Sequence, residues 1–536
     1  MDKGIISTPQ PEASETGIEI LRRGGNAVDA AIATALVQGV VDPQMCGIAG
    51  FGSMQVWLPK KGVHAFIDFH GKTPSRATPG MWEHLIEGEA RDGFGFILKG
   101  NVNDVGYQSI TVPGSLKAYF EAQTEFGVMD WADVVAPAIA HAEAGVMVRP
   151  HVHFFWTFED GSGRALTADR LAHTAAGRRL YFRPDGRVKQ IGDQIHNPDM
   201  ANTLKRIARH GADIFYRGEI AEEIAADMEK HGALLCLEDL KSYRTRRCDP
   251  LWGSFRGYDI ASNQPPGGGI MLIEMLNILD QFDLEGLGHN SPDYIRIVAE
   301  AMKRATSDKD NFVGDPDFYD VPIARLTSRD HAAGLAEAIK AGEVAKVERL
   351  GGGMQESKNT THIAVLDAAG NAVSMTHSLG MPSGVITEGL GFMYNGCMAV
   401  FDPRSGRAGS IAPGKARFSS ICPTIAFKDG EPCLVIGAPG GTQIAMGVMQ
   451  ATVNALAFDM PILDAIAAPR FSATSNAIDV CNRIPRHVTD VLAGQGYEIV
   501  RSPLSYTFGA VHGLKLHRGE WHGAADPGHD GVALAL

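Results

Sequence analysis

The chain has 536 residues, 44% of them hydrophobic and 21% charged, which supplies one large core or two smaller ones and does not fit a disordered protein. Its formal net charge is -13 and no segment forms a Lys/Arg block, so a nucleic-acid partner is not expected and a small or neutral molecule fits better. The start, Met1-Asp2-Lys3-Gly4-Ile5-Ile6-Ser7, shows no basic region followed by an apolar run, so neither a signal peptide nor a membrane span is expected and the protein is placed in the cytoplasm.

In chain order, Pro11-Glu12-Ala13-Ser14 leads into an apolar-periodic stretch with Ile18 and Leu21, Gly24-Gly25-Asn26 breaks it, and Val28, Ala31, Ile32 and Leu36 resume a helical face. The spacing predicts two packed helices. A glycine-dense turn, Asp42 to Gly52, then feeds a strand from Ser53 to Leu58; the turn reads equally as a close-approach bend and as an active-site wall. His151-Val152-His153 on a strand could chelate a metal, but no third ligand follows at an ordered spacing, so solvated or core histidines are expected and no metal or other cofactor is called for. Asn263-Gln264-Pro265-Pro266-Gly267-Gly268-Gly269 marks a sharp loop before a helix beginning near Met271. The seven cysteines are scattered and odd in number with no C-x-x-C pair, which suits reduced thiols rather than disulfides or structural zinc.

From Ala341 to Asn359 glycines sit among charged residues without apolar periodicity, and the stretch reads as a mobile linker. Thr360 to Leu366 is a strand by its β-branched content, Asp367-Ala368-Ala369-Gly370-Asn371 a turn, and Ala372 to Ser378 the return strand. A three-residue loop with Gly370 in the left-handed region makes paired numbers sum to 738, which sets Thr360 opposite Ser378 with both side chains on one face.

That pairing permits a specific chemistry. A threonine hydroxyl is a weak nucleophile unless a base takes its proton, and cutting between Asn359 and Thr360 would give Thr360 a free α-amine with a reference pKa of about 7.7 to 8. One residue then holds both nucleophile and base. The cut needs no outside protease if the Thr360 hydroxyl attacks the preceding carbonyl and the resulting ester hydrolyses. Leu434-Val435-Ile436 reads as a buried strand and Gln443 to Ala455 as a helix; between them Gly440 and Gly441 can present backbone amides to a developing oxyanion. Ser419-Ser420 either offers hydroxyls to substrate or caps a strand.

Taken together and in order, these motifs resemble the γ-glutamyltransferase family of N-terminal-nucleophile hydrolases. The resemblance spans nearly the whole chain: Gly24-Gly25-Asn26-Ala27-Val28-Asp29-Ala30-Ala31, Gly47-Ile48-Ala49-Gly50, Val112-Pro113-Gly114, Pro265 to Gly269, Thr360-Thr361-His362, Gly370-Asn371-Ala372-Val373, Pro413-Gly414-Lys415, Ser419-Ser420, Pro423-Thr424-Ile425 and Pro439-Gly440-Gly441. It implies an α/β fold of four αββα layers, built jointly by a large subunit (1–359) and a small one (360–536) that remain together after self-cleavage, with a dimer of such pairs as one form of assembly. It also implies Thr360 as nucleophile, Ser378 as the neighbouring hydroxyl and Gly440 and Gly441 as the oxyanion hole.

Substrate recognition departs from the family pattern. The family arginine upstream of Val-Pro-Gly is absent from Asp104 to Ser109, the positions that hold the glutamyl amine match Cys397 and Val400, and Gly380 replaces an asparagine. The C-terminal Asp-Pro-Arg run reads Asp526-Pro527-Gly528. Unpaired amino-acid charges in a closed site cost several kcal/mol, so the pattern is similar instead to relatives acting as oxamate amidohydrolases and β-lactam acylases. The expected activity is hydrolysis of a small amide, with Ser419, Ser420, Cys397 and Arg417 as substrate-side residues; Arg417 serves either an anionic substrate or a surface ion pair. A γ-glutamyltransferase or glutathione hydrolase is the second reading, and a non-catalytic or metal-binding relative the third.

Overall fold

The computed structural model describes residues 4–158, 164–350 and 360–536. Two sheets lie face to face between two layers of helices, the αββα order. The first sheet has seven strands in the order Val532–Ala535, Ile5–Thr8, Thr361–Leu366, Ala372–Ser378, Phe51–Leu58, Val63–Phe69 and Arg246–Cys248, every neighbouring pair antiparallel. The second has six, in the order Glu520–Ala525, His512–His517, Glu431–Gly437, Thr424–Lys428, Tyr258–Ser262 and Leu251–Phe255.

Alternation along the strands separates the cores. On Thr361–Leu366 the side chains of Ile363 and Val365 join an apolar cluster shared with the helices Pro11–Arg22 and Ala27–Val41, while Ala364 and Leu366 join the smaller cluster between the sheets. Behind the second sheet, the helices Gly269–Leu279, Pro292–Phe312, Arg329–Lys340 and Ile444–Leu456 close a third cluster. Helix Ala27–Val41 is buried on every side because it is apolar all round. Asn26 starts it, accepting bonds from Val28 and Asp29 amides while the Asp29 carboxylate accepts from the Asn26 amide.

Two expectations change. His151 and His153 lie on the helix Pro150–Thr157 rather than a strand, so they diverge around the axis; His151 packs against His529 with ring centroids 4.1 Å apart and the rings tilted by 45°. The stretch read as a mobile linker has no helix or strand from Glu343 to Leu350, yet it is pinned: Ala345 donates to Glu300 and Val347 to Asn476, Arg349 pairs with Asp310, and Leu350 donates to Glu89. Three backbone amide bonds and one ion pair hold this part in place. Residues 351–359, including Asn359 of the expected cleavage site, lie outside the described residues. No described helix is long and apolar enough to cross a membrane.

Candidate active site

The hairpin carries the site. Thr361 pairs with His377 and Leu366 with Ala372, the register expected from a loop closed by Asp367 and Asn371, and Gly370 sits at φ +82°. Asp367 fastens the turn, accepting from the Ala369 and Asn371 amides with one oxygen and from the Ala27 amide with the other. At the open end, Thr360 Oγ1 lies 3.0 Å from Ser378 Oγ, both buried, and the Gly380 amide donates to Ser378 Oγ at 2.7 Å. The strand begins at Thr361, so Thr360 stands just ahead of the ladder.

Neighbours hold that end from the helix side. Gln38 Nε2 donates to Thr361 Oγ1 at 2.9 Å and Gln38 Oε1 accepts from His377 Nε2 at 2.7 Å, so one side chain grips the residue beside each hydroxyl. His377 Nδ1 then accepts from the Tyr119 hydroxyl at 2.6 Å. Burial alone pushes the His377 ring down to about 3; burial and then the His377 ring do the same to His362, which meets Thr376 Oγ1 at 2.9 Å. The glycine turn proves to be both a bend and a wall: a Cβ on Gly50 would meet the Ser378 carbonyl at 2.4 Å, and the next residue, Phe51, lines the cavity.

Thr360 and Ser378 open on a cavity of about 220 Å³ whose other walls include Gly380, Arg417, Ser419, Ser420 and Gly441. Gly440, at φ +138°, has room for a Cβ only at 2.8 Å from Gly509 Cα, and Gly441, at φ +56°, opens the turn that leads into the helix Ile444–Leu456. Backbone amides at a turn of this kind can donate to a developing negative charge. Arg417 is buried, not at the surface; its guanidinium stacks 4.7 Å over the Phe51 ring and is the one charged side chain among the described lining residues. Beyond Arg417, Ser419 and Ser420 the cavity meets an open cleft of about 1530 Å³ bordered by Lys309, Asp310, Arg349, Asp402 and Arg404.

Ser419 is not a simple cap. Its hydroxyl lies 2.7 Å from His70 Nε2, whose Nδ1 sits 2.6 Å from Asp68 Oδ1, and the Ser419 amide donates to Pro266 O. Burial opposes ionisation of Asp68, but the His70 ring and its hydrogen bonds hold the carboxyl below its usual range. His70 and Asp68 escaped the sequence reading because they lie on the strand Val63–Phe69 and just past it, far in sequence from Ser419, and no motif spacing links them. Phe94, from a loop anchored by Asp92, was missed for the same reason. Cys397 is brought near but not onto the cavity wall: its thiol donates to the Leu379 carbonyl, and a Cβ on Gly380 would meet it at 2.8 Å. Burial pushes that thiol up to about 11 against the pull of Arg417. Asp104, in the loop that lacks the family arginine, pairs with Arg164 and Arg170, and Asp526 pairs with Arg470.

Comparison with known proteins agrees over the full length. The family model described as Gamma-glutamyltranspeptidase matches residues 13–536. Acylase ACY 1 proenzyme of Pseudomonas sp. (strain V22) is 36% identical, covering 100% of this chain and 94% of that protein. Glutathione hydrolase proenzyme of Bacillus subtilis (strain 168) is 31% identical, covering 99% and 91%. Among solved structures, cephalosporin acylase from Bacillus halodurans superposes with a TM-score of 0.87 at 28% identity, over 99% of this chain and 96% of that one.

Proposed function

The chain belongs to the γ-glutamyltranspeptidase family of hydrolases, and from that premise we propose that it matures by cutting itself before Thr360 and then hydrolyses a small amide through an ester on that residue. In maturation the Thr360 hydroxyl attacks the Asn359 carbonyl, the acyl group passes from nitrogen to oxygen and so frees the Thr360 amine, and water then hydrolyses the ester to restore the hydroxyl and release the Asn359 carboxylate. In turnover that amine takes the hydroxyl proton, Oγ1 adds to the substrate carbonyl, and the Gly440 and Gly441 amides receive the oxyanion. The proton then passes to the leaving amine, and water releases the acid. Ser378, 3.0 Å from Thr360 Oγ1, orients the nucleophile.

The observation that carries this reading is that contact, placed in a cavity where Arg417 is the single charge among the described lining residues. Among the described residues no Asp or Glu lines the cavity. A glutamyl head group brings an ammonium as well as a carboxylate, and burying the ammonium without a partner costs several kcal/mol. An acyl group with a carboxylate and no ammonium, as in oxamate and other half-amides of dicarboxylic acids, matches the Arg417 cation among the described lining residues. Acylase relatives support that class, while the glutathione hydrolase relatives support a γ-glutamyl substrate as the second reading.

The test is a mass spectrum of purified protein followed by a substrate panel. Pieces spanning 1–359 and 360–536, held together in one folded unit, with oxamate or a short acyl amide preferred over γ-glutamyl anilide, support the proposal. Full activity in an intact chain overturns the mechanism, and a preference for the anilide overturns the substrate.

A further inference from the structure

Far from the hairpin in sequence, three helices behind the second sheet converge on a group of ligand-type side chains. Glu274 comes from Gly269–Leu279, Asp308 from Pro292–Phe312 and His331 from Arg329–Lys340, and one ligand atom from each lies within 4.8 Å of the others. His331 Nε2 is 2.6 Å from Asp308 Oδ2 and 3.6 Å from Glu274 Oε1. The three are 34 and 23 residues apart, so no spacing rule could have grouped them.

Glu274 is the telling member. It is 1% exposed, on a helix buried along its whole length, and its Oε1 points at His331 without making a hydrogen bond. One turn further along the same helix, Asn277 Oδ1 is likewise buried without a hydrogen bond, although its Nδ2 donates to Thr327 O. A core helix has no packing reason to carry a carboxyl group, and an unpartnered buried oxygen costs about 1 to 3 kcal/mol. Asp308 and His331 are each a little under one-fifth exposed, which leaves an entry path and room for water.

We propose that Glu274, Asp308 and His331 form a binding site for one divalent transition-metal ion, of the Mn2+ or Zn2+ class, with water completing the coordination. Two carboxylates and one imidazole suit these ions better than Ca2+ or Mg2+, which favour all-oxygen sets. The ion clamps three helices. One begins at the Pro265–Gly269 loop, whose Gly268 amide donates to the Ile421 carbonyl beside Ser420. Another carries Lys309 and Asp310 to the wall of the open cleft. The role is structural and independent of the amide reading.

Untagged full-length protein, stripped by chelator and dialysed against Mn2+ or Zn2+, is expected to retain about one equivalent by elemental analysis and to melt at a higher temperature than the stripped form. Glu274→Gln keeps the shape of the uncharged acid, so it should preserve the metal-free melting temperature while weakening metal binding at least tenfold and abolishing the metal-dependent rise. Asp308→Asn gives the same readout should Glu274→Gln fold poorly. Retention of metal by the variants equal to the unaltered protein, or no uptake by the unaltered protein, overturns the proposal and leaves a proton as the occupant of the cluster.

Discussion

The hairpin that carries Thr360 and Ser378 and the pocket wall facing it are built on different principles. The hairpin is local: a five-residue turn sets the register, and residues 360 to 378 bring their own two hydroxyls together. The wall is assembled from afar, with Phe51, Phe94 and Arg417 arriving from separate segments and Ser419 braced by His70 and Pro266. A reaction type can therefore be encoded in one short stretch, whereas selectivity is distributed over the whole chain and can change without disturbing the nucleophile.

Thr360→Ala tests the hairpin side most severely. It should leave one unprocessed chain and lower amide hydrolysis by roughly 10³-fold or more, read by denaturing gel and rate on the same sample; processing that persists would separate the two events. The next effect is on stability. His377 and His362 are held neutral with pKa values of about 3, against about 6.5 unfolded, so the native state binds fewer protons than the unfolded one. Stability is then complete above about pH 6.5 and falls as the pH drops toward 3, by about 1.4 kcal/mol per pH unit for each ring. Urea midpoints against pH should show this slope, and His377→Gln should remove one ring's share of it. On the pocket side, Arg417→Met should lower kcat/KM for carboxylate-bearing amides about 10- to 100-fold and change neutral amides by under about threefold; an equal loss on both would mean that Arg417 supports the wall rather than the substrate. The smallest change is expected for Ser419→Ala, about 1 kcal/mol or fivefold in kcat/KM with processing intact, since one hydrogen bond to His70 is lost.

What could be read from residues alone follows the same division. The register of Thr360 against Ser378 was legible because a turn with Gly370 at its left-handed position admits few alternatives, and the helices Pro11–Arg22 and Ala27–Val41 announced themselves by periodicity and by the Gly24-Gly25-Asn26 break between them. Arg417 illustrates the limit. Nothing in its neighbourhood told a surface ion pair from a cavity wall, because the choice depends on Phe51 passing beneath it. His151-Val152-His153 was assigned to a strand and lies in a helix, since Pro150 at the first helical position outweighed the β-branched valine. The segment before Leu350 looked loose by composition but is tied down by Glu300, Asn476 and Glu89, partners that only the tertiary fold supplies.

The strand order of the first sheet carries a last consequence. Ile5–Thr8 lies between Val532–Ala535 and Thr361–Leu366, and Phe51–Leu58 lies against Ala372–Ser378, so chain on either side of residue 360 is woven alternately through one ladder. Before the proposed cut, folding is a first-order event whose loop closures are secured by covalent continuity. Afterwards the same ladder is a heteromeric joint, and any molecule that opens fully must find its other half by diffusion, so recovery depends on concentration. Maturation thus acts as a ratchet: assembly has to be finished first, and the working form persists because opening is slow rather than because closing is easy.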